Sequence, residues 1–273
     1  MPPRKIHPKI VLIVIGALIA SACRAPTSTG APPTAPAPTA SPQTAVSLAK
    51  CSVDTHQHLN AFAVQQGKLK TDWDAAAKTA ITMMDDVGIQ KILIMPPPLT
   101  ADHQGKYDYA ELAAISKNYS DRFAFVAGGG TLNPIINQTV ASGNVSASMK
   151  SEFETKAKEI VRAGAAAFGE MAAFHFSFAD THPFIYAPPD HALFLSLADI
   201  AAQENMPIDL HMEIVTQKIS LPKPLKSPPN PATLEPNLPA FERLLSHNRK
   251  ARIVWAHVGW DNTGHMTTTL LRQ

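Results

Sequence analysis

"SVDTHQHLN", residues 52–60, ends an apolar run opened by Cys51 with two histidines one residue apart and an aspartate two residues before the first. If the run is a β-strand, Asp54, His56 and His58 share one face, because successive side chains alternate. Two Cα atoms spaced this way lie roughly 6.5–7 Å apart, so both imidazoles can reach one ion. A pair of buried, hydrogen-bonded histidines would look the same in sequence. The stretch does not decide between these readings, and its surroundings must.

Downstream, short apolar runs recur at 91–95 (KILIM), 123–128 (FAFVAG), 166–171 (AAFGEM), 207–212 (PIDLHM) and 252–258 (RIVWAHV), following the first at 51–58. Between them lie stretches with helical spacing. Ala77, Ile81, Met84 and Val87 make one stripe in 74–87; Phe153, Ala157, Ile160 and Val161 make another in 149–163, with Gly164 as a stop. Residues 190–205 and 238–247 follow suit, the latter with Pro239 in its first turn, and a weaker stripe covers 108–118. Strands alternating with helices of this length predict βα units and a parallel sheet. No Gly-rich phosphate loop follows the first strand, which argues against a nucleotide-binding doubly wound fold. The "GGG" at 128–130 reads as a flexible turn with no capped helix after it.

Polar residues fall at the strand ends. His56 and His58 end the first strand, Glu170 the fourth, His211 the fifth and His257 the sixth. In parallel α/β proteins the carboxyl ends of the strands form one rim, so these five residues are expected to converge. Imidazole and carboxylate are the donors that zinc and similar divalent ions prefer. A lone strand-end histidine is more often a core residue, and Glu170 alone could cap a turn. Four apolar strands each ending in His or Glu are harder to explain by packing, because buried polar groups need partners and a shared ion supplies them together.

Taken in order, "VDTHQHL", "AFGEM", "PIDLHME" and "RIVWAHVGW" resemble the amidohydrolase superfamily, specifically the amidohydrolase-related group that includes metal-dependent decarboxylases. The resemblance spans nearly all of 51–273. It implies a TIM-type (β/α)8 barrel with one or two divalent ions on its rim, most simply zinc, with manganese or iron as alternatives. It assigns His56, His58, Glu170, His211 and His257 as metal ligands. Glu170 would bridge two ions or stand behind one, and His257 would hold the second ion or stabilise an oxyanion. Asp54 would orient a ligand imidazole or make a buried hydrogen bond, and Asp209 would point inward behind the ligands. Glu213 and His175 are candidates for touching substrate. The superfamily's strand-eight aspartate has no counterpart before Gln273, so the expectation is a barrel truncated after its sixth strand.

The first 50 residues differ in kind. Arg4, Lys5 and Lys9 precede an apolar run, Ile10 to Ala20, too short to span a bilayer, and "ALIASAC" resembles a lipobox ending at Cys23. Residues 1–23 are read as a lipoprotein-type signal with Cys23 lipidated; an ordinary secretory signal or an uncleaved anchor is the alternative. Residues 24–50, rich in Pro, Ala, Ser and Thr, read as an extended tether, and 51–273 as the barrel domain. That places the protein in a bacterial envelope, exported, periplasm-facing and membrane-held through the lipid. With Cys23 lipidated, Cys51 has no cysteine partner and reads as a small core residue.

A formal net charge of +2 shows no basic excess for nucleic acid, so a small-molecule substrate is expected. The aromatic stretch "FHFSFADTHPFIYAPPDH", 174–191, could line a pocket with Phe174, Phe176 and Phe178, or pack a surface loop; His182 and His191 sit in it. His103, His247 and His265 read as solvent-facing, and the Pro-rich 221–239 as a stiff rim loop. The leading reading is a metal-dependent hydrolase of an amide, ester or lactone. A non-oxidative decarboxylase on the same scaffold and a non-catalytic envelope lipoprotein are its rivals. Sequence does not fix the oligomeric state.

Overall fold

A computed structural model describes residues 52–259 except 66, 67, 104, 105, 178, 180, 181, 222, 224–226 and 228. The expected signal and tether, with Cys23, and also Cys51, Phe178 and His265 lie outside the described residues.

The elements run β1 (Val53–Gln57), β2 (Phe62–Gln65), β3 (Lys68–Thr71), α1 (Trp73–Val87), β4 (Lys91–Ile94), α2 (Tyr109–Asn118) and β5 (Phe123–Gly128). Then come α3 (Leu132–Ser142), α4 (Ala147–Arg162), β6 (Ala167–His175), β7 (Ile185–Tyr186), α5 (Ala192–Gln203) and β8 (Pro207–Met212). The chain continues through β9 (Ile219–Ser220), β10 (Thr233–Leu234), α6 (Leu238–His247) and β11 (Arg252–Ala256) to a 3-10 turn, His257–Gly259.

The six expected strands, β1, β4, β5, β6, β8 and β11, stand side by side in chain order and pair in parallel throughout. Each crossover carries at least one helix. This sequential winding is that of six successive βα units of a TIM-type barrel. The sheet curls. In a flat six-stranded sheet β1 and β11 would lie about 24 Å apart at the usual strand spacing. Yet the His56 ring, on β1, and the His257 ring, just past β11, have centroids 4.7 Å apart.

The inner strands β6 and β8 are buried almost throughout, as expected for a parallel sheet covered on both faces. Phe123, Phe153, Phe168, Phe194, Met84, Leu112 and Ile160 are fully buried in one cluster joining sheet and helices. The stripe expected on α4 holds at Phe153, Ala157 and Ile160, while Val161 packs at its margin. On α1 only Ala77 and Met84 are buried, and Val87 is exposed. Helices start and stop by ordinary capping: Asp72 accepts from Ala75 N at the start of α1, and Gly88, left-handed at φ 75°, ends it.

Several expectations are corrected. A helix, α3, does follow the "GGG" turn, with Thr131 at its N-cap and Pro134 in its first turn, where a missing N–H costs nothing. Nor is that turn loose. A Cβ on Gly129 would stand 2.6 Å from Pro97 O, and one on Gly130 would stand 2.0 Å from Tyr107 O. The turn does cradle an anion, but an internal one: Gly128 N donates to both carboxylate oxygens of Asp108, at 2.9 and 3.2 Å. Burial pushes the Asp108 carboxyl up to about 6, against the hydrogen bonds from Thr131, Gly128 and Gly130. The fourth expected strand runs on to His175, because residues 174–175 pair with β7. The sixth stops at Ala256, and His257 takes a left-handed turn, φ 56°. A β2–β3 hairpin also stands where no strand was expected.

Candidate metal centre

Glu170 lies where β6 slips against β8: Phe168 pairs with Ile208, but Met171 pairs with Leu210, so the stretch between is irregular. Gly169 is required there, since a Cβ would come within 2.8 Å of the Asp209 Cβ. Glu170 is 2 % exposed, and its carboxylate receives four imidazoles. His211 Nδ1 lies 2.7 Å from Oε1, His58 Nε2 3.2 Å from Oε2, and His56 Nε2 and His257 Nε2 each 3.6 Å from Oε1. The five residues expected at the strand ends are thus brought to one point. Burial raises the Glu170 carboxyl, but hydrogen bonds from His211, His257 and His58 outweigh it and hold it well below the usual carboxylate range.

The rings are oriented from behind. His58 Nδ1 stands 3.0 Å from Met95 O, and a carbonyl only accepts, so this nitrogen carries the proton. His56 Nδ1 faces Asp209 Oδ2 at 3.3 Å and donates likewise. In their neutral forms both rings therefore turn an Nε2 lone pair toward Glu170, and His56 Nε2 is buried without a hydrogen-bond partner. Burial lowers the His56 pKa, but the Asp209 hydrogen bond and the charges of Glu170 and Asp209 leave it raised.

Behind His211 lies a second group. Its Nε2 stands 3.1 Å from Glu213 Oε1, and His175 stacks on its ring at 4.3 Å and 17°. Burial opposes the charged form of His211, yet hydrogen bonds to Glu170 and Glu213 carry its pKa up to about 10. Burial, helped by the charge of His211, pushes His175 down to about 4, and its Nδ1 donates to Phe176 O at 2.8 Å.

An ion pair between His211 and Glu170 would neutralise the carboxylate by itself. Three further imidazoles on the same two oxygens are surplus to that need. Protonating them all would set unit charges about 5 Å apart, at roughly 3 kcal/mol per pair in an effective dielectric near 20. A divalent cation neutralises the carboxylate and satisfies four neutral imidazoles together. His56–His58–Glu170, Glu170–His211–His257 and His175–His211–Glu213 each place ligand atoms within 4.8 Å of one another, so the described residues can hold a metal. Two more buried oxygens without hydrogen-bond partners, Asp209 Oδ1 and Glu213 Oε2, belong to the same neighbourhood.

Other expected site residues lie elsewhere. Asp54 does not meet an imidazole: it accepts from His56 N at 3.1 Å and from Gln57 Nε2 at 2.6 Å. Asp209, expected only to point inward behind the ligands, holds the ring instead. Glu213 is 2 % exposed and stands against His211 Nε2 at 3.1 Å. Phe174 and Phe176 pack into the core rather than a pocket wall. His191 caps α5, accepting from Leu193 N, and His247 pairs with Asp199 at the surface.

No protein-family model matches the sequence, and no curated protein matches it. Among solved structures the chain is similar to a "probable 2-pyrone-4,6-dicarboxylic acid hydrolase" from Acinetobacter baumannii with citric acid bound. The identity is 12 %, covering 59 % of this chain and 49 % of that one, at a TM-score of 0.35. It is also similar to 4-oxalomesaconate hydratase from Rhodopseudomonas palustris (11 %, 59 % and 51 %, 0.37) and to 2,6-dihydroxybenzoate decarboxylase from Rhizobium (13 %, 77 % and 67 %, 0.40). The chain thus spans about half the length of the first two. With TM-scores below 0.5, none of these likenesses transfers an activity to it.

Proposed function

We propose that this chain carries the metal centre of a metal-dependent hydrolase that cleaves a C–N or C–O bond, as the resemblance of its strand-end motifs to amidohydrolase-related enzymes implies. One observation carries the reading. Four imidazoles, two with tautomers set from behind by Met95 O and Asp209, converge on one buried carboxylate. His56, His58, Glu170, His211 and His257 would hold one or two divalent ions, zinc first and manganese or iron next. When bound, such an ion polarises a substrate carbonyl or ester oxygen and draws the pKa of water toward neutrality.

The chain's own residues do the rest. Asp209 keeps the Nδ1 proton of His56 in place, and Met95 O does so for His58, so both rings present Nε2 without rotating. Glu213 fixes His211 from its far side. His257, the most exposed of the histidines at the centre, at 39 % of its side chain, would hold the second ion or stabilise an oxyanion. Asp54 supports the strand end through the His56 amide.

The substrate of this reading is a small molecule, not nucleic acid. Cys23 would carry the lipid that holds the domain at the periplasmic face of a bacterial membrane. The test is to load the full chain with zinc, manganese or iron and assay amides, esters and lactones beside aromatic carboxylic acids. Hydrolysis lost in His56→Ala and His58→Ala supports the reading. Carbon dioxide release without hydrolysis replaces it with decarboxylation, and no metal uptake by folded protein overturns it.

A further inference from the structure

Beside His58 the chain leaves a cleft of about 270 Å³, lined by His58, Leu59, Asn60, Pro97, Leu99, His103 and Tyr107. Its walls come from the connection after β1 and the connection between β4 and α2. Leu59, Leu99 and Tyr107 are buried side chains, at 8 %, 4 % and 8 % exposure, and give it an apolar, partly aromatic lining. The Trp73 ring backs Tyr107 at 4.8 Å. No lysine or arginine is among the described residues that line it.

The walls are pinned. Leu99 N donates to Gly129 O at 2.9 Å, and Asn133 Nδ2 donates to Leu99 O at 3.5 Å. Asp108, next to Tyr107, is held by the Gly128 amide. The close approach of Gly129 to Pro96 O and Pro97 O, and of Gly130 to Tyr107 O, leaves the turn no room to shift outward. The cleft is therefore formed before anything enters it, which lowers the cost of filling it.

Resting on the metal reading above, we infer that this cleft is the specificity pocket of the centre and takes a compact, uncharged apolar or aryl group of the substrate. Its volume equals that of about nine waters at roughly 30 Å³ each, room for a phenyl ring and its linking atoms and little more. His58 is both its inner wall and a candidate ligand, so a group seated against Leu59, Leu99 and Tyr107 abuts the metal centre. An anionic tail would find no lysine or arginine to pair with among these residues. The reading thus selects substrates whose group beyond the reacting bond is neutral.

Two hydroxamates test this on the zinc-loaded full chain by calorimetry: acetohydroxamate, which can only chelate, and benzohydroxamate, which chelates and carries a phenyl ring. The expected result is tighter binding of benzohydroxamate by roughly tenfold or more, from burial of the ring. His103→Trp narrows the mouth from an exposed position, and Leu99→Phe fills the cleft from within; in each the preference should fall toward unity. Equal affinity of the two probes for the wild type overturns the pocket and leaves the metal centre standing. A preference that survives both substitutions overturns it as well. Failure of zinc-loaded protein to bind acetohydroxamate overturns the metal reading, and the pocket with it.

Discussion

Replacing Glu170 with glutamine removes one negative charge at the point where four histidines converge and leaves the side chain's shape nearly intact. Groups that only orient a metal ligand cost 10–100-fold in metal affinity when removed, so a buried carboxylate that is itself a ligand should cost at least about 100-fold. The effect is read as thermal stabilisation by metal. At free zinc about 100 times the wild-type Kd, binding adds about 2.7 kcal/mol to stability. For a domain of this size each kcal/mol is worth about 2–4 °C in Tm, so wild type should gain about 5–11 °C over chelator-treated protein. At the same zinc concentration E170Q would sit near its own Kd, gaining about 0.4 kcal/mol, or about 1–2 °C. Differential scanning calorimetry with and without chelator gives both numbers. Equal shifts in wild type and E170Q would refute the reasoning, because the four contacts to Glu170 would then have nothing to do with a cation. So would a wild type whose Tm ignores zinc.

Other outcomes follow from the same geometry. Asp209→Asn weakens the hold on His56 Nδ1 without emptying the site, so zinc affinity should fall about tenfold while the far-ultraviolet circular dichroism stays that of wild type. Asp108 has a folded pKa raised to about 6, so its contribution favours folding below its unfolded value near 4 and is lost as pH rises through 6. Two pH units correspond to about 3 kcal/mol; denaturant unfolding of wild type should lose about that much relative to Asp108→Asn between pH 4 and 7, and parallel curves would contradict it. Gly130→Ala drives a methyl into Tyr107 O, and overpacking of this kind costs at least about 1–3 kcal/mol, measurable as a lowered urea midpoint.

What could be read in advance follows from what each signal depends on. The strands at 123–128 and 207–212 and the helix at 238–247 are observed within the limits expected from sequence, since their apolar periodicity is local and their ends carry Gly, Pro or Asn. Convergence of His56, His58, Glu170, His211 and His257 was legible for a similar reason: strand direction and chain order suffice to place strand ends on one rim. Helix α3 was hidden because Pro134 sits two residues into it and three glycines precede it, both of which read as breakers in a linear scan. The partner of His56 was not legible at all. Whether Asp54 or Asp209 meets its ring depends on the offset between β6 and β8 and on how far the sheet curls, and neither is written in local periodicity. Phe174 and Phe176 were equally open, because β6 continues to His175 only through its pairing with β7.

The measurement that bears most directly on the account is the metal content of the full chain after reconstitution with zinc and desalting, by inductively coupled plasma mass spectrometry. At least one ion per chain in wild type, and less than a tenth of that in a folded His56→Ala/His58→Ala variant, is the result the converging imidazoles predict. Folded wild-type protein that retains no zinc, manganese or iron would contradict it and leave Glu170 and His211 as no more than a buried ion pair.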